Sequence, residues 1–148
     1  MKNIHIVPTD KPSRLIIYST LLNEFRLLDE PYDDWKHKRN IHITSDEEIK
    51  EGDWFLTDDK RVEKCAPDWR AREWHKKIIL TTDDQLIKDG VQAIDDDFLK
   101  WFVENPNHEK VEVVKEQYYQ FVGNAKLRLK PNYKIIIQWK LTAKTVID

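Results

Sequence analysis

The clearest hydrophobic pattern of the chain runs from Lys76 to Pro106, KKIILTTDDQLIKDGVQAIDDDFLKWFVENP. Its three consecutive apolar residues, at positions 78–80, predict a central strand that is covered on both faces. Thr82 is followed three positions later by Gln85, which is the spacing of a capping box. This pair predicts a short helix from Asp83 to about Lys88.

A second, longer helix is predicted over residues 95–105. Asp95 is a favourable N-cap residue, and the two aspartates after it complement the positive end of the helix dipole. Phe98, Trp101 and Phe102 recur at helical spacing and form an aromatic stripe on one face. Such a stripe could line a ligand pocket, but it is more typical of a buried core face. Asn105-Pro106 ends the helix, because the residue before proline avoids the α region.

Short alternating or β-branched runs occupy much of the remaining chain and predict strands. Two of them, NIHIV and NIHIT, would place His5 and His42 on neighbouring strands. We expect an α+β fold: a strongly bent mixed or antiparallel sheet, or a partly closed barrel, of seven to nine short strands. One main helix, at about 95–105, and one or two short helical turns would accompany it. The polar segment 29–40 is expected to be a loop.

Length and composition predict one domain over residues 1–148, which is long enough to bury a substantial core. The single cysteine, Cys65, cannot form an internal disulfide and is interpreted as a buried, inert thiol. No apolar run approaches the length that spans a bilayer. We therefore expect a cytoplasmic protein with no membrane partner.

The usual sequence markers of catalysis are missing. The chain has only three glycines and contains no glycine-rich phosphate loop, no nucleophile elbow and no H-E-x-x-H motif. The five histidines do not pair at metal-ligand spacing, and the acidic run 95–97 is explained by helix capping. We expect a protein that is not an enzyme and that uses no metal or cofactor.

Charge is distributed in bands along the chain. Residues 28–60 and 81–120 each carry a net charge of −6, whereas residues 121–148 carry +5. The segment 69–77 alternates basic and aromatic residues, and an extended segment 125–130 would project its cations from one side. Basic residues beside aromatic ones favour nucleic-acid binding, in which bases stack and phosphates pair with cations. The candidate residues are Lys76, Lys77, Lys126, Arg128, Lys130 and Lys134.

Several blocks of the amino-acid sequence resemble a family of small proteins encoded in phages and mobile elements of Bacteroidota. The blocks are MKNIHIVPTDKPSRL, NIHITSDEEIKEGDWFL, KKIILTTDDQLIKDGVQAIDDDFLKWFVENP with VEVVKE, and YKIII, and they cover over half of the chain. Three stretches, 22–40, 57–74 and 118–131, lie outside them. The segment EIKEGDWF is also similar to the strand-turn-strand entry of PUA-like and ASCH-like barrels.

These resemblances imply two classes of role and transfer no catalytic residue. The first is a phage accessory protein, in the cytoplasm of a bacterial host, that binds a bacterial protein or ribonucleoprotein. It would inhibit a host defence system as anti-CRISPR proteins inhibit an RNA-guided nuclease. Its partner contacts would lie in the stretches outside the blocks, at Tyr32, Trp35, Trp69, Arg70, Arg72 and Trp74. The alternative is a PUA-like domain that binds RNA or a modified base through the six cations above.

Overall fold

The structure is a computed structural model that describes residues 2–32, 37–67 and 75–137, with only the backbone of Tyr32. These residues fall into two compact units, Met1–Lys110 and Val111–Asp148. The prediction of a single domain stays a prediction.

The first unit is built on one large mixed sheet. Its strands are β1 (Ile4–Pro8), β2 (Ser13–Ser19), β3 (Glu24–Tyr32), β4 (Lys38–Ser45), β5 (Trp54–Leu56), β6 (Val62–Lys64), β7 (Lys76–Thr81) and β8 (Gln92–Ala93). The main path of neighbouring strands is β3-β2-β4-β7-β5-β6; β1 pairs with β4 and β8 pairs with β7. Among the pairings of these described strands, only that between β7 and β8 is parallel. In the described residues the sheet does not close into a barrel, whereas the expected sheet-rich α+β class is confirmed.

Strand β7 is the central strand that its apolar run predicted. Ile78, Ile79, Leu80 and Thr81 are all buried, and successive strand residues point to opposite faces, so both faces are covered. One of the clusters packed around it joins Ile78 to Leu56 and Leu86.

The helix after β7, α1 (Asp84–Lys88), has a different cap from the one that the capping-box spacing predicted. Asp83 is the N-cap, and its carboxylate accepts a hydrogen bond from the backbone N–H of Gln85 at 2.9 Å. The Thr82 hydroxyl is used elsewhere: it accepts from the Ile41 N–H and donates to Asn40 Oδ1. The prediction of a Thr82 cap was wrong because a contact with β4, about forty residues away in sequence, takes the hydroxyl.

The second helix, α2 (Asp96–Glu104), agrees with its prediction. Asp95 is the N-cap and accepts from the Phe98 N–H at 2.8 Å. Phe98 and Phe102 are almost fully buried, and the Phe102 ring lies 5.5 Å from the ring of Phe25 on β3. The aromatic stripe is therefore a core face and not a ligand pocket. Neither α2 nor the other described helix is long and apolar enough to cross a membrane.

Removal of the α2 cap should destabilise the first unit measurably. Asp95→Ala leaves the Phe98 N–H without its acceptor, and we expect a loss of about 1 kcal/mol in the free energy of unfolding. Asp95→Asn keeps an acceptor oxygen and should lose much less. Urea unfolding of both variants checks this prediction, and equal losses in the two would contradict it.

Strands β1 and β4 bring together two buried histidines. His5 and His42 are directly opposite each other across the antiparallel pair, which confirms their placement on neighbouring strands. His5 Nε2 lies 3.1 Å from Thr44 Oγ1, and His42 Nδ1 lies 2.9 Å from Thr81 Oγ1. Burial, reinforced at His5 by nearby lysines, lowers the pKa of each histidine from 6.5 to about 4. Both rings are therefore neutral at pH 7.

Over its described residues, 111–137, the second unit contains four strands: β9 (Glu112–Glu116), β10 (Tyr119–Val122), β11 (Ala125–Arg128) and β12 (Asn132–Ile136). Strand β9 pairs with β12 and β10 pairs with β11, both antiparallel. The described residues thus hold twelve strands, more than the seven to nine expected. Part of the excess lies in segment 118–131, where the sequence was considered as extended only over residues 125–130.

Candidate nucleic-acid interface

The four described strands of the second unit form two successive antiparallel pairs, β10-β11 and β9-β12, which we call together the β-ribbon (residues 112–136). Tyr119 is opposite Arg128 in its outer pair, and Glu116 is opposite Asn132 in its inner pair. Between these positions one side has two residues and the other has three, so a one-residue bulge separates the two pairs. A hydrogen bond of 2.9 Å from the Leu129 N–H to the Tyr118 carbonyl holds the two halves in register.

The turn of the β-ribbon is Gly123-Asn124. Gly123 has a φ of 62°, which suits glycine because it lacks a Cβ. A two-residue loop with glycine first is the sequence of a type II′ turn, whose twist matches that of the strands. The outer half of the β-ribbon, which we call the tip (residues 117–131), is built around this turn.

One face of the tip alternates aromatic and cationic side chains. Tyr119 is opposite Arg128 and Phe121 is opposite Lys126, and directly opposed residues share a face. All four are exposed, Phe121 to 68%. Lys126 Nζ lies 4.1 Å from the centroid of the Tyr119 ring, within cation–π distance. The face therefore offers aromatic ring surfaces beside two positive charges.

The opposite face of the tip is largely apolar. Val122 and Leu127 are exposed on this side. Tyr118 and Leu129, which are also exposed, come directly before β10 and after β11 and are joined by the backbone hydrogen bond given above. Exposed apolar side chains that lie together mark interaction sites more often than those scattered singly. The two faces of the tip thus differ in chemistry.

The tip carries three cations and no carboxylate in its sequence. The Arg128 Nε donates to the neutral Gln117 amide oxygen at 3.1 Å, so its charge is not neutralised by that contact. Among described residues, none of Lys126, Arg128 and Lys130 forms an ion pair. Within the β-ribbon, the carboxylate that is nearest to the tip in sequence is that of Glu116. It accepts a hydrogen bond from the Tyr118 hydroxyl, which raises the pKa of Tyr118.

The six predicted cations do not form one strip. Lys126 and Arg128 share a face of the tip, and Lys130 follows β11 beside the bulge. Lys134 is exposed on β12, opposite Val114 and away from the turn. In the first unit, Lys76 Nζ lies 2.6 Å from the Asp46 carboxylate and Lys77 Nζ lies 3.5 Å from that of Asp53. These two lysines are therefore already paired with carboxylates.

Most of the residues predicted to bind a protein partner lie outside the described residues. They are Trp35, Trp69, Arg70, Arg72 and Trp74. The backbone of Tyr32 ends strand β3, so the expected loop 29–40 is shorter than predicted, because β3 and β4 take up both of its ends. The partner-binding role of these residues stays a prediction.

The aromatic half of this interface, Tyr119 and Phe121, was not among the site residues predicted from the sequence. A signal was present: Tyr119 and Phe121 alternate on one side of Gly123-Asn124, and Lys126 and Arg128 alternate on the other. A two-residue turn pairs these positions across the hairpin. The turn therefore predicted the shared face.

Two other candidate chemistries find no support in the described residues. No group of three or more His, Cys, Asp or Glu side chains there could hold a metal ion. The Cys65 thiol is buried, which raises its pKa and disfavours the reactive thiolate.

The chain matches no protein-family model, no curated protein and no solved structure. Its function must therefore be argued from the chemistry of its own surfaces.

Proposed function

We propose that this protein binds single-stranded nucleic acid, with RNA as the expected ligand, through the tip of its β-ribbon. The single observation that carries the proposal is the exposed face on which Tyr119 and Phe121 are opposite Arg128 and Lys126. Stacking of a base on an aromatic ring contributes about 1–3 kcal/mol per base and tolerates any sequence. Cations beside the rings attract the phosphates that follow each base.

A single strand suits this face better than a duplex does. The flat surfaces of Tyr119 and Phe121 can stack only on bases that are not already stacked on their neighbours. In a duplex both surfaces of an internal base are covered. The ammonium group of Lys126, which lies over the Tyr119 ring, would move to a phosphate as a base takes its place.

The phage accessory role remains part of the proposal. A β-ribbon that binds RNA gives a non-enzymatic protein a way to engage the RNA of a bacterial ribonucleoprotein, including an RNA-guided nuclease. The apolar face of the tip would then contact the protein component. We also retain a PUA-like, partly closed barrel as a finer proposal for the main sheet, supported by the similarity of EIKEGDWF at residues 48–55.

A tagged pull-down from a Bacteroidota lysate, run with and without ribonuclease, tests the proposal. We expect the protein to recover RNA and to lose it after ribonuclease treatment or in high salt. A ribonucleoprotein partner should be recovered with the RNA. A stoichiometric protein partner that is retained without any RNA would contradict RNA binding and favour a purely protein interface.

The affinity for a short single-stranded RNA should fall steeply with salt. Three cations of the tip can each release one counterion, which predicts a slope of about −2 in a plot of log K against log salt concentration. Fluorescence anisotropy of labelled oligouridine between low and physiological salt measures this slope. A slope near zero would show that the cations of the tip do not contact phosphates.

A further inference from the structure

A second candidate site lies in the first unit and is independent of the β-ribbon. It is a polar cleft of about 400 Å³, within the size range of small-molecule sites. Its polar lining includes Asn40, His42, Lys60, Arg61, Glu63 and Asp83. Val7, Pro8 and Val62 add apolar wall surface.

His42, one of the residues that line this cleft, has a ring nitrogen without a hydrogen-bond partner in the described structure. The residue is 1% exposed, and its Nδ1 is held by Thr81 Oγ1. Its Nε2 has no hydrogen-bond partner among the described residues. Among the described residues, Trp101 Nε1 is the only fully enclosed side-chain nitrogen or oxygen without a hydrogen-bond partner. The Nε2 of His42 is therefore not fully enclosed, and His42 is one of the residues that line the cleft.

The hydrogen bonds around Thr81 are compatible with a proton on Nε2 of His42. Thr81 Oγ1 accepts from the Asp83 N–H at 3.0 Å, and its own hydrogen is able to donate to His42 Nδ1. In that arrangement the proton of the neutral ring is on Nε2, which is then a donor. Asn40 adds a second donor: its Oδ1 accepts from Thr82, and its Nδ2 has no partner in the described structure.

The charges of the lining cancel, so the cleft suits an uncharged ligand. Lys60 and Arg61 are balanced by Glu63 and Asp83, and Arg61 Nε also lies 3.0 Å from the Asp59 carboxylate. The two most buried of these polar side chains, His42 and Asn40, are neutral. A charged group placed against them would lose its hydration without gaining a counter-charge. A neutral acceptor would gain two hydrogen bonds at no such cost.

We propose that this cleft binds a small uncharged heterocycle. A carbonyl oxygen or ring nitrogen of the ligand accepts from His42 Nε2–H and from the Asn40 amide, and an N–H of the ligand donates to the Asp83 carboxylate. The flat faces of the ring pack against the apolar wall. The ligand is either a free molecule or a base within a strand.

Uracil and orotate, which is uracil with an added carboxylate, are a matched pair of probes. Two-bond ¹H–¹⁵N spectra of the full chain at pH 7 should show His42 as the Nε2–H tautomer. Uracil should shift the His42 resonances saturably and leave those of His5, whose two ring nitrogens are within hydrogen-bond distance of Thr44 and Lys60, unchanged. Orotate should bind about ten-fold more weakly. Oligouridine that reproduces the uracil shift would identify the ligand as a base within a strand.

Two substitutions distinguish the roles of the two ring nitrogens of His42. His42→Asn keeps a polar group near Thr81 but removes the outer donor, and should weaken uracil binding about ten-fold. His42→Gln extends a donor to the position of Nε2 and should retain most of the binding. The uracil titration of the unmodified protein does not depend on whether either variant folds. An Nδ1–H tautomer, His42 resonances that uracil does not move, or tighter binding of orotate would each overturn the proposal.

Discussion

Reversal of both charges on the aromatic face of the tip, with K126E and R128E together, should lower the affinity for single-stranded RNA about 100-fold at physiological salt. The change removes two attractive contacts with phosphates and adds two repulsive ones. Both residues are exposed and neither forms an ion pair in the described structure, so the melting temperature should hardly change. Anisotropy titration and thermal unfolding of the same samples measure the two quantities.

A control variant with the same net charge shows whether RNA affinity depends on the position of the changed residues or on the total charge of the protein. Lys50→Glu with Lys88→Glu makes the same change in net charge at two exposed lysines of the first unit. This control should lose only the few-fold affinity that follows from a less favourable overall field. Equal losses in the two double variants would mean that RNA responds to total charge and that the tip is not the interface.

Acidification from pH 7.5 to pH 5 should destabilise the first unit strongly. The pKa values of His5 and His42 are about 4 in the folded protein and near 6.5 in the unfolded chain. Between these values the unfolded chain binds protons that the folded protein does not, so stability falls as the pH falls. At pH 5 the loss is at most about 2 kcal/mol for each histidine.

The pH window distinguishes the histidines from the carboxylates. Hydrogen bonds from Arg14, from Lys64 and Trp54, and from Thr57 lower the pKa values of Asp96, Asp89 and Asp59, respectively. Carboxylates with lowered pKa values give up stability only as the pH falls through the acidic range below their ordinary 3.8. Charges near the histidines act in both directions: Lys60 and Lys2 disfavour protonation of His5, whereas Asp83 favours that of His42.

Urea unfolding at the two pH values checks the prediction. His5→Gln with His42→Gln should remove most of the difference between pH 7.5 and pH 5. His37→Gln, at an exposed position, should leave it unchanged. A midpoint that does not move with pH in the unmodified protein would show that the two rings are not buried in their neutral form.

Helix α2 could be predicted because its local sequence determines where it begins, which face it buries and where it ends. Its cap, its aromatic stripe and its proline stop all lie within twelve residues, so no distant contact was needed to recognise them. The cap of α1 shows the limit of this reasoning. Thr82 and Asp83 are both good caps by residue type, and only the tertiary contact of Thr82 with β4 decides between them.

Local sequence was also insufficient to identify which of the six predicted cations are available to bind a phosphate. Lys76 and Lys77 look like phosphate-binding residues in the sequence, but Asp46 and Asp53, which are at least 24 positions earlier, pair with them once β7 joins the sheet. In the described structure Lys126 and Arg128 have no such partners, and the tip itself contains no acid. Residue type therefore suggested six candidates, and the pairing of strands selected among them.

Ultraviolet crosslinking of the protein to bound RNA, followed by mass spectrometry of the crosslinked peptides, tests the central claim most directly. Stacked aromatic side chains should form the crosslinks, so we expect them at Tyr119 and Phe121 within residues 117–131. Crosslinks confined to other parts of the chain, or none in protein that retains RNA, would contradict binding through the β-ribbon.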